Sequence, residues 1–268
     1  MTALVRVLLG AVAACVMLAA ARAAEQVDLL LVLAADVSRS VDHPKFLLQR
    51  EGYAAAISDQ HVLDALRSGP HQRIGLCFVE WSGFGAQRVL IDWSMIDGVD
   101  AARRFGDQLL EMPRSFADRT SISGGIEFAA AQIEHAPFEA ARRTIDVSGD
   151  GTNNAGRDVK IARDEVLAKG AVINGIVILS DRPVPWNAEH TNPPGGLQKY
   201  YQDNVVGGPG AFVMVAESFN SFGRAIVKKL IAEIALDPRT GAPGMVRTSV
   251  PQAGGRMSIA LPYSPALE

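Results

Sequence analysis

Cysteine is almost absent from this chain of 268 residues, which has only Cys15 and Cys77. Cys15 lies in an N-terminal segment that reads as a removable leader. The remainder keeps Cys77 alone, so an internal disulfide is excluded and stability must come from the core or from a ligand. Cys77 sits in the apolar run IGLCFVEW and reads as a small buried hydrophobe. Aromatic residues are only 6% of the chain. No Lys/Arg cluster stands out, which argues against a nucleic-acid groove. The five histidines, His43, His61, His71, His135 and His190, include no pair at helical metal-binding spacing, which argues against a zinc enzyme. Ser148 lies in V-S-G-D-G rather than G-x-S-x-G, and spacing identifies no His/Asp partner for it. Internal repeats and low-complexity tracts are lacking too.

What is present is ordinary globular composition, 48% apolar and 21% charged, enough to bury the core of one large domain. The start of the chain differs. One positive charge precedes the apolar run Val7 to Ala21, and Ala21-Arg22-Ala23 has the small-x-small pattern of a processing site. Residues 1–23 therefore read as a secretory signal peptide. An uncleaved anchor is the alternative, although the run is short for a span of about 20 residues. A second alternative is a lipoprotein box at Val12 to Cys15, against which the apolar run continues through Leu18. Cleavage removes Arg6 and Arg22, leaving 24 basic against 29 acidic residues and a net charge of −5. The expectation is an exported protein, periplasmic or secreted, with no stable membrane span after cleavage.

Beyond the leader, strand and helix patterns alternate. Val27 to Ala35 is continuously apolar after Asp28, the mark of a strand buried on both faces. A helix follows, with Asp42 as N-cap, Pro44 in its first turn, and Phe46, Tyr53 and Ile57 on one face. Arg73 to Trp81 reads as a second strand and Gln87 to Trp93 as a third, antiparallel to it. Val99, Ala102, Phe105 and Leu109 mark a helix that Pro113 ends. Ile126, Ala129, Ala130 and Ile133 mark another. Arg143 to Val147 is a strand, Val159 to Ala168 a helix closed by Gly170, and Ala171 to Leu179 a strand. Ala211 to Val215 is the last core strand. Phe219, Phe222, Ile226, Leu230 and Ile234 line the last helix. The ordering predicts an α/β fold, a doubly wound, mostly parallel sheet with one antiparallel strand and helices on both faces. Its bounds are 24–236, with a C-terminal tail over 237–268. Asp181 to Pro194 is read as irregular, and Trp186, Tyr200 and Tyr201 as aromatics that pin this loop to the body.

Ligand sites in such sheets form at the carboxyl ends of strands. There the sequence places Asp36, Ser38 and Ser40, within DVSRS. Oxygen donors alone suit a hard cation, here Mg2+ or Mn2+. The competing reading is an Asp/Ser helix cap. Two further loops favour the cation. Thr120 precedes a helix in RTSISGGI, and Asp150 follows a strand in VSGDGTNN. All five residues should emerge at one sheet edge, where a cation would offset the repulsion of Asp36 and Asp150. An EF-hand over 150–161 fails, because Ala155 and Ile161 occupy its glycine and glutamate positions. Asn153 and Asn154 are read as shaping the turn, and GGPGA at 207–211 as a tight turn.

Together DVSRS, TSISGGI and VSGDG resemble the metal-ion-dependent adhesion site of von Willebrand factor A domains, and FVEWSG resembles that fold's second strand. The likeness covers residues 27 to about 236. More closely, IDVSGDGTNN, VINGIVIL and YYQDNVVGGPGAFV resemble the domain of unknown function 1194 family. The resemblance implies a Rossmann-type three-layer sandwich, with Asp36, Ser38, Ser40, Thr120 and Asp150 as the metal set. It also implies a protein partner whose acidic group completes the metal sphere. Two positions depart from the pattern. Arg39 stands where glycine is usual and reads as a solvated side chain. Gly149 stands where Thr or Ser is common before the aspartate. The rival readings are a metal-dependent hydrolase, for which Glu80 is no clear general base, and a metal-free scaffold with a degenerate site.

Overall fold

The computed structural model describes residues 24–180 and 187–235. Residues 1–23, read above as a signal peptide, Trp186 and residues 237–268 lie outside them. The strands are β1 (Glu25–Gln26), β2 (Leu30–Asp36), β3 (Ile74–Trp81), β4 (Gln87–Ile96), β5 (Phe138–Glu139), β6 (Arg143–Gly149), β7 (Val172–Ile178) and β8 (Val213–Ala216). The helices are α1 (His43–Ile57), α2 (Gln60–Arg67), α3 (Val99–Glu111), α4 (Ile122–Glu134), α5 (Val159–Ala168), α6 (Ala188–Thr191), α7 (Leu197–Asn204) and α8 (Phe222–Ala235).

Six strands form one sheet in the order β4-β3-β2-β6-β7-β8. β4 runs antiparallel to β3, and the other neighbours are parallel. β1 and β5 pair separately. The expected doubly wound α/β sandwich is what forms. The continuous apolar run of β2 has a direct cause. Leu31, Leu33 and Ala35 pack under α1, α2, α3 and α8, while Leu30, Val32 and Ala34 pack under α4, α5 and α7. Both faces of the strand are covered, so neither carries polar residues.

Several local expectations hold. The Asp42 side chain accepts from Lys45 N at 3.0 Å, capping α1. α5 spans Val159–Ala168, and Gly170 beyond it has φ +82°, a left-handed conformation suited to glycine. Cys77 is fully buried.

The pattern did not announce α2, α7 or the β1–β5 pair, and it read as irregular the stretch that holds the short helix α6. α2 is capped by Asp59, which accepts from His61 N at 2.8 Å, and it buries Val62, Leu63, Ala65 and Leu66. Phe219 lies in a 3-10 turn before α8 rather than in the helix.

A second polar system sits inside the sandwich, away from the sheet edge. Asp146 of β6 and Lys229 and Glu233 of α8 are all buried. Lys229 Nζ lies 2.8 Å from Asp146 Oδ1 and also contacts Glu233. Asn174 Nδ2 donates to Glu233 Oε1 at 2.9 Å. Burial, then the Glu233 charge, pushes the Asp146 carboxyl up to about 7.

Candidate functional site at the sheet edge

β2 ends at Asp36 and β6 at Gly149, and the two strands are neighbours in parallel register, with Ala35 opposite Ser148. This register alone brings Asp36 and Asp150 to one place. Asp36, Ser38, Thr120 and Asp150 are at most 1% exposed and Ser40 is 7% exposed.

A chain of hydrogen bonds ties the loops together. Ser38 N donates to Asp36 Oδ1 at 2.7 Å. The Ser38 and Ser40 hydroxyls are 3.1 Å apart, and Ser40 Oγ donates to Asp150 Oδ1 at 2.6 Å. Thr120 is held by the β6–α5 loop: its N donates to Asn154 Oδ1 at 2.9 Å, and Asn154 N donates back to Thr120 O at 2.9 Å. Ser123 N donates to Asn153 Oδ1 at 3.1 Å. The two asparagines thus shape the turn, as expected, and also lock it to the start of α4. Arg114 donates to the carbonyls of Val37 and Ser38 at 2.6 and 2.8 Å, fixing the DVSRS loop from the other side.

The acids carry the electrostatic tension of the site. Asp36 Oδ2 and Asp150 Oδ2 are buried, with no hydrogen-bond partner among the described residues. Burial, then the charge of Asp150, pushes the Asp36 carboxyl up to about 8. Burial also raises Asp150, opposed by its bond from Ser40 and by the charge of Lys45.

Three more side chains complete the site, and no motif in the sequence announced them. His190 of α6 is buried. Its Nδ1 lies 3.2 Å from Thr152 Oγ1 and 3.4 Å from the Asn154 amide nitrogen, and its Nε2 lies 3.2 Å from Thr120 Oγ1. Burial lowers its pKa, with the Asp150 charge opposing. Tyr201 of α7 is fully buried, and a Cβ at position 149 would collide with its hydroxyl and meet Asp36 Oδ2 at 3.1 Å. Gly149 is therefore required here, and Tyr201 fills the space that a larger residue would take. Lys45 Nζ is the third group, 3.6 Å from Asp150 Oδ2.

Ser40 and Thr120 line a cavity of about 360 Å3 that opens at this edge, together with Arg39, Arg119, Asn154 and His190. Arg39 is exposed, as expected of a solvated side chain, and so is Arg119. Asp118, also on the wall, offsets part of their charge. Glu80 is buried in the sheet, with Oε1 2.5 Å from Arg50 Nη2 and Oε2 accepting from Ser115 N at 2.8 Å. It is held by these partners and does not line the cavity.

This architecture and edge are those of a von Willebrand A-like fold. The solved structures that resemble the chain agree. Proximal thread matrix protein 1 from the mussel byssus, with a zinc-occupied MIDAS motif, matches at TM-score 0.52 and 15% identity over 78% of this chain and 48% of that one. The pilus adhesin SpaC from Lactobacillus rhamnosus GG matches at TM-score 0.54 and 10% identity over 79% of this chain and 32% of that one. A von Willebrand factor type A protein from Catenulispora acidiphila matches at TM-score 0.50 and 14% identity over 79% of this chain and 44% of that one. The chain spans less than half the length of each. No curated protein matches it. The chain belongs to the family described as Protein of unknown function (DUF1194), which matches residues 26–238.

Proposed function

We propose that the protein is an exported, divalent-cation-dependent protein-binding module, and that its ligand is an acidic group on a partner protein. The observation that carries this reading is the pair of buried carboxylates, each with an oxygen lacking a hydrogen-bond donor, beside three buried hydroxyls, two of which (Ser40 and Thr120) line a cavity. A buried polar atom without a partner is costly, and two such atoms on neighbouring acids fit a cation. The donor set fits a hard one, because it is all oxygen. Among the described residues there is no cluster of three His, Cys, Asp or Glu side chains that would suit a soft metal.

In this reading Ser38, Ser40 and Thr120 hold Mg2+ or Mn2+ directly, and Asp36 and Asp150 do so directly or through water. The hydrogen bonds already present orient the donors. Ser40 Oγ donates its hydrogen to Asp150, which leaves an oxygen lone pair free, and Thr120 Oγ1 is positioned 3.2 Å from His190 Nε2. The bound cation supplies an open coordination position that a carboxylate oxygen can take. Arg39 and Arg119 on the cavity wall favour an acidic partner by charge. The mussel protein's zinc-occupied MIDAS motif supports cation binding by analogy of fold. A binding role is favoured over hydrolysis because Glu80 is tied to Arg50 and Ser115 and does not line the cavity.

Thermal unfolding against Mg2+ and Mn2+ tests the reading. At a hundredfold excess over the dissociation constant, the cation stabilises the fold by about 2.7 kcal/mol. That corresponds to roughly 5–10 °C for a domain of this size. Ser38→Ala should lose the rise while remaining folded. An unresponsive wild type would instead indicate a metal-free scaffold.

A further inference from the structure

The metal set is not the only cation chemistry at this edge. Lys45 lies in the first turn of α1, placed there by the Asp42 cap. Its ammonium donates to the Ser40 carbonyl at 2.8 Å and lies 3.6 Å from Asp150 Oδ2, a long ionic contact rather than a hydrogen bond. It also sits 5.2 Å from the centre of the Phe219 ring, a cation–π distance. Asp150 is thus bracketed, with the Ser40 hydroxyl on one oxygen and the Lys45 ammonium nearest the other.

We propose that Lys45 is a tethered competitor for the divalent cation: its ammonium supplies positive charge to Asp150 in the metal-free state and must be repelled or withdrawn when the cation enters. This rests on the metal reading above and goes beyond it, by assigning the residue that sets the affinity. The side chain is 22% exposed. Its flexible stem gives the ammonium a route to solvent. Either response opposes metal binding: a dication beside an ammonium is repelled, and withdrawal breaks the contacts to Ser40, Asp150 and Phe219. The ammonium also keeps the emptied site from holding two uncompensated acids. Removing it should therefore shift the balance toward the metal from both sides.

The experiment is calorimetric titration of Mn2+ into wild type, Lys45→Met, Lys45→Gln and Lys45→Arg at one pH, with near-ultraviolet circular dichroism to verify folding. Gln retains a donor for the Ser40 carbonyl without the charge, so the test survives if the Met variant fails to fold. The neutral variants should bind Mn2+ at least about tenfold more tightly, and Arg should stay near the wild type. Binding by the neutral variants with none by the wild type would also support the proposal. Unchanged or weaker binding by folded neutral variants would overturn it while leaving the metal site standing, as would an equal gain in the Arg variant. No Mn2+ binding by any of the folded proteins would overturn both the proposal and the metal reading.

Discussion

Asp36→Asn is expected to make the metal-free protein more stable while abolishing its response to Mg2+ and Mn2+. Asparagine keeps the oxygen that accepts from Ser38 N. It removes a buried acid beside Asp150, one whose carboxyl is pushed up to about 8 and must be held protonated to fold. The expected gain is about 2 kcal/mol, roughly 4–8 °C in the unfolding midpoint. A group that destabilises the empty fold fits a role in binding.

The pH dependence follows from the direction of the same shift. Asp36 has a native pKa of about 8, above its ordinary 3.8. Its contribution to the stability of the metal-free fold is present in full below pH 3.8 and is lost as pH rises through about 8. The advantage of Asp36→Asn should therefore grow across that interval and level off above it. Metal binding has the opposite dependence, because the carboxyl must lose its proton to serve the cation. Affinity should rise with pH up to about 8, with proton release detectable from titrations in buffers of different ionisation enthalpy. A variant less stable than wild type at pH 7 without metal would contradict this account of the two acids.

The second large effect lies in the core. Lys229→Met should destabilise the fold by about 3–5 kcal/mol, because it leaves Asp146 and Glu233 buried without their shared counter-charge. The corresponding drop in midpoint is about 10 °C. Replacing the whole set, with Asp146→Asn and Glu233→Gln added, should recover most of the loss. Chemical denaturation of the two variants checks both halves, and a near-neutral single variant would show that the network is not closed as described. Mn2+ binding should survive in the folded variants, since this cluster is separate from the sheet edge.

Why the edge cluster was legible while much around it was not has a physical cause. Asp36, Ser38 and Ser40 are consecutive alternate residues after an apolar strand, and Thr120 and Asp150 each border an element whose pattern is plain. Knowing that the sheet is parallel suffices to bring the five toward one edge. His190, Tyr201, Arg114 and Lys45 carry no such signal. His190 and Tyr201 come from short helices, α6 and α7, whose approach to β6 depends on tertiary packing. Lys45 belongs to a helix whose apolar face was recognised, but the face alone does not show where a first-turn ammonium points. Asp146 lies in a short strand pattern, and nothing local shows that α8 supplies its lysine. The reading of Phe219 as helical failed because Ser218 and Ser221 form a capping box that starts a 3-10 turn first.

One cation is expected to bind among these five oxygen-bearing residues. Anomalous diffraction from crystals grown with Mn2+ tests it most directly. The account predicts one strong peak per chain at the mouth of the cavity, about 2.1 Å from the hydroxyl oxygens of Ser38 and Ser40, with the Lys45 ammonium moved away from Asp150. A peak elsewhere, or none at a concentration that saturates calorimetric binding, would contradict it.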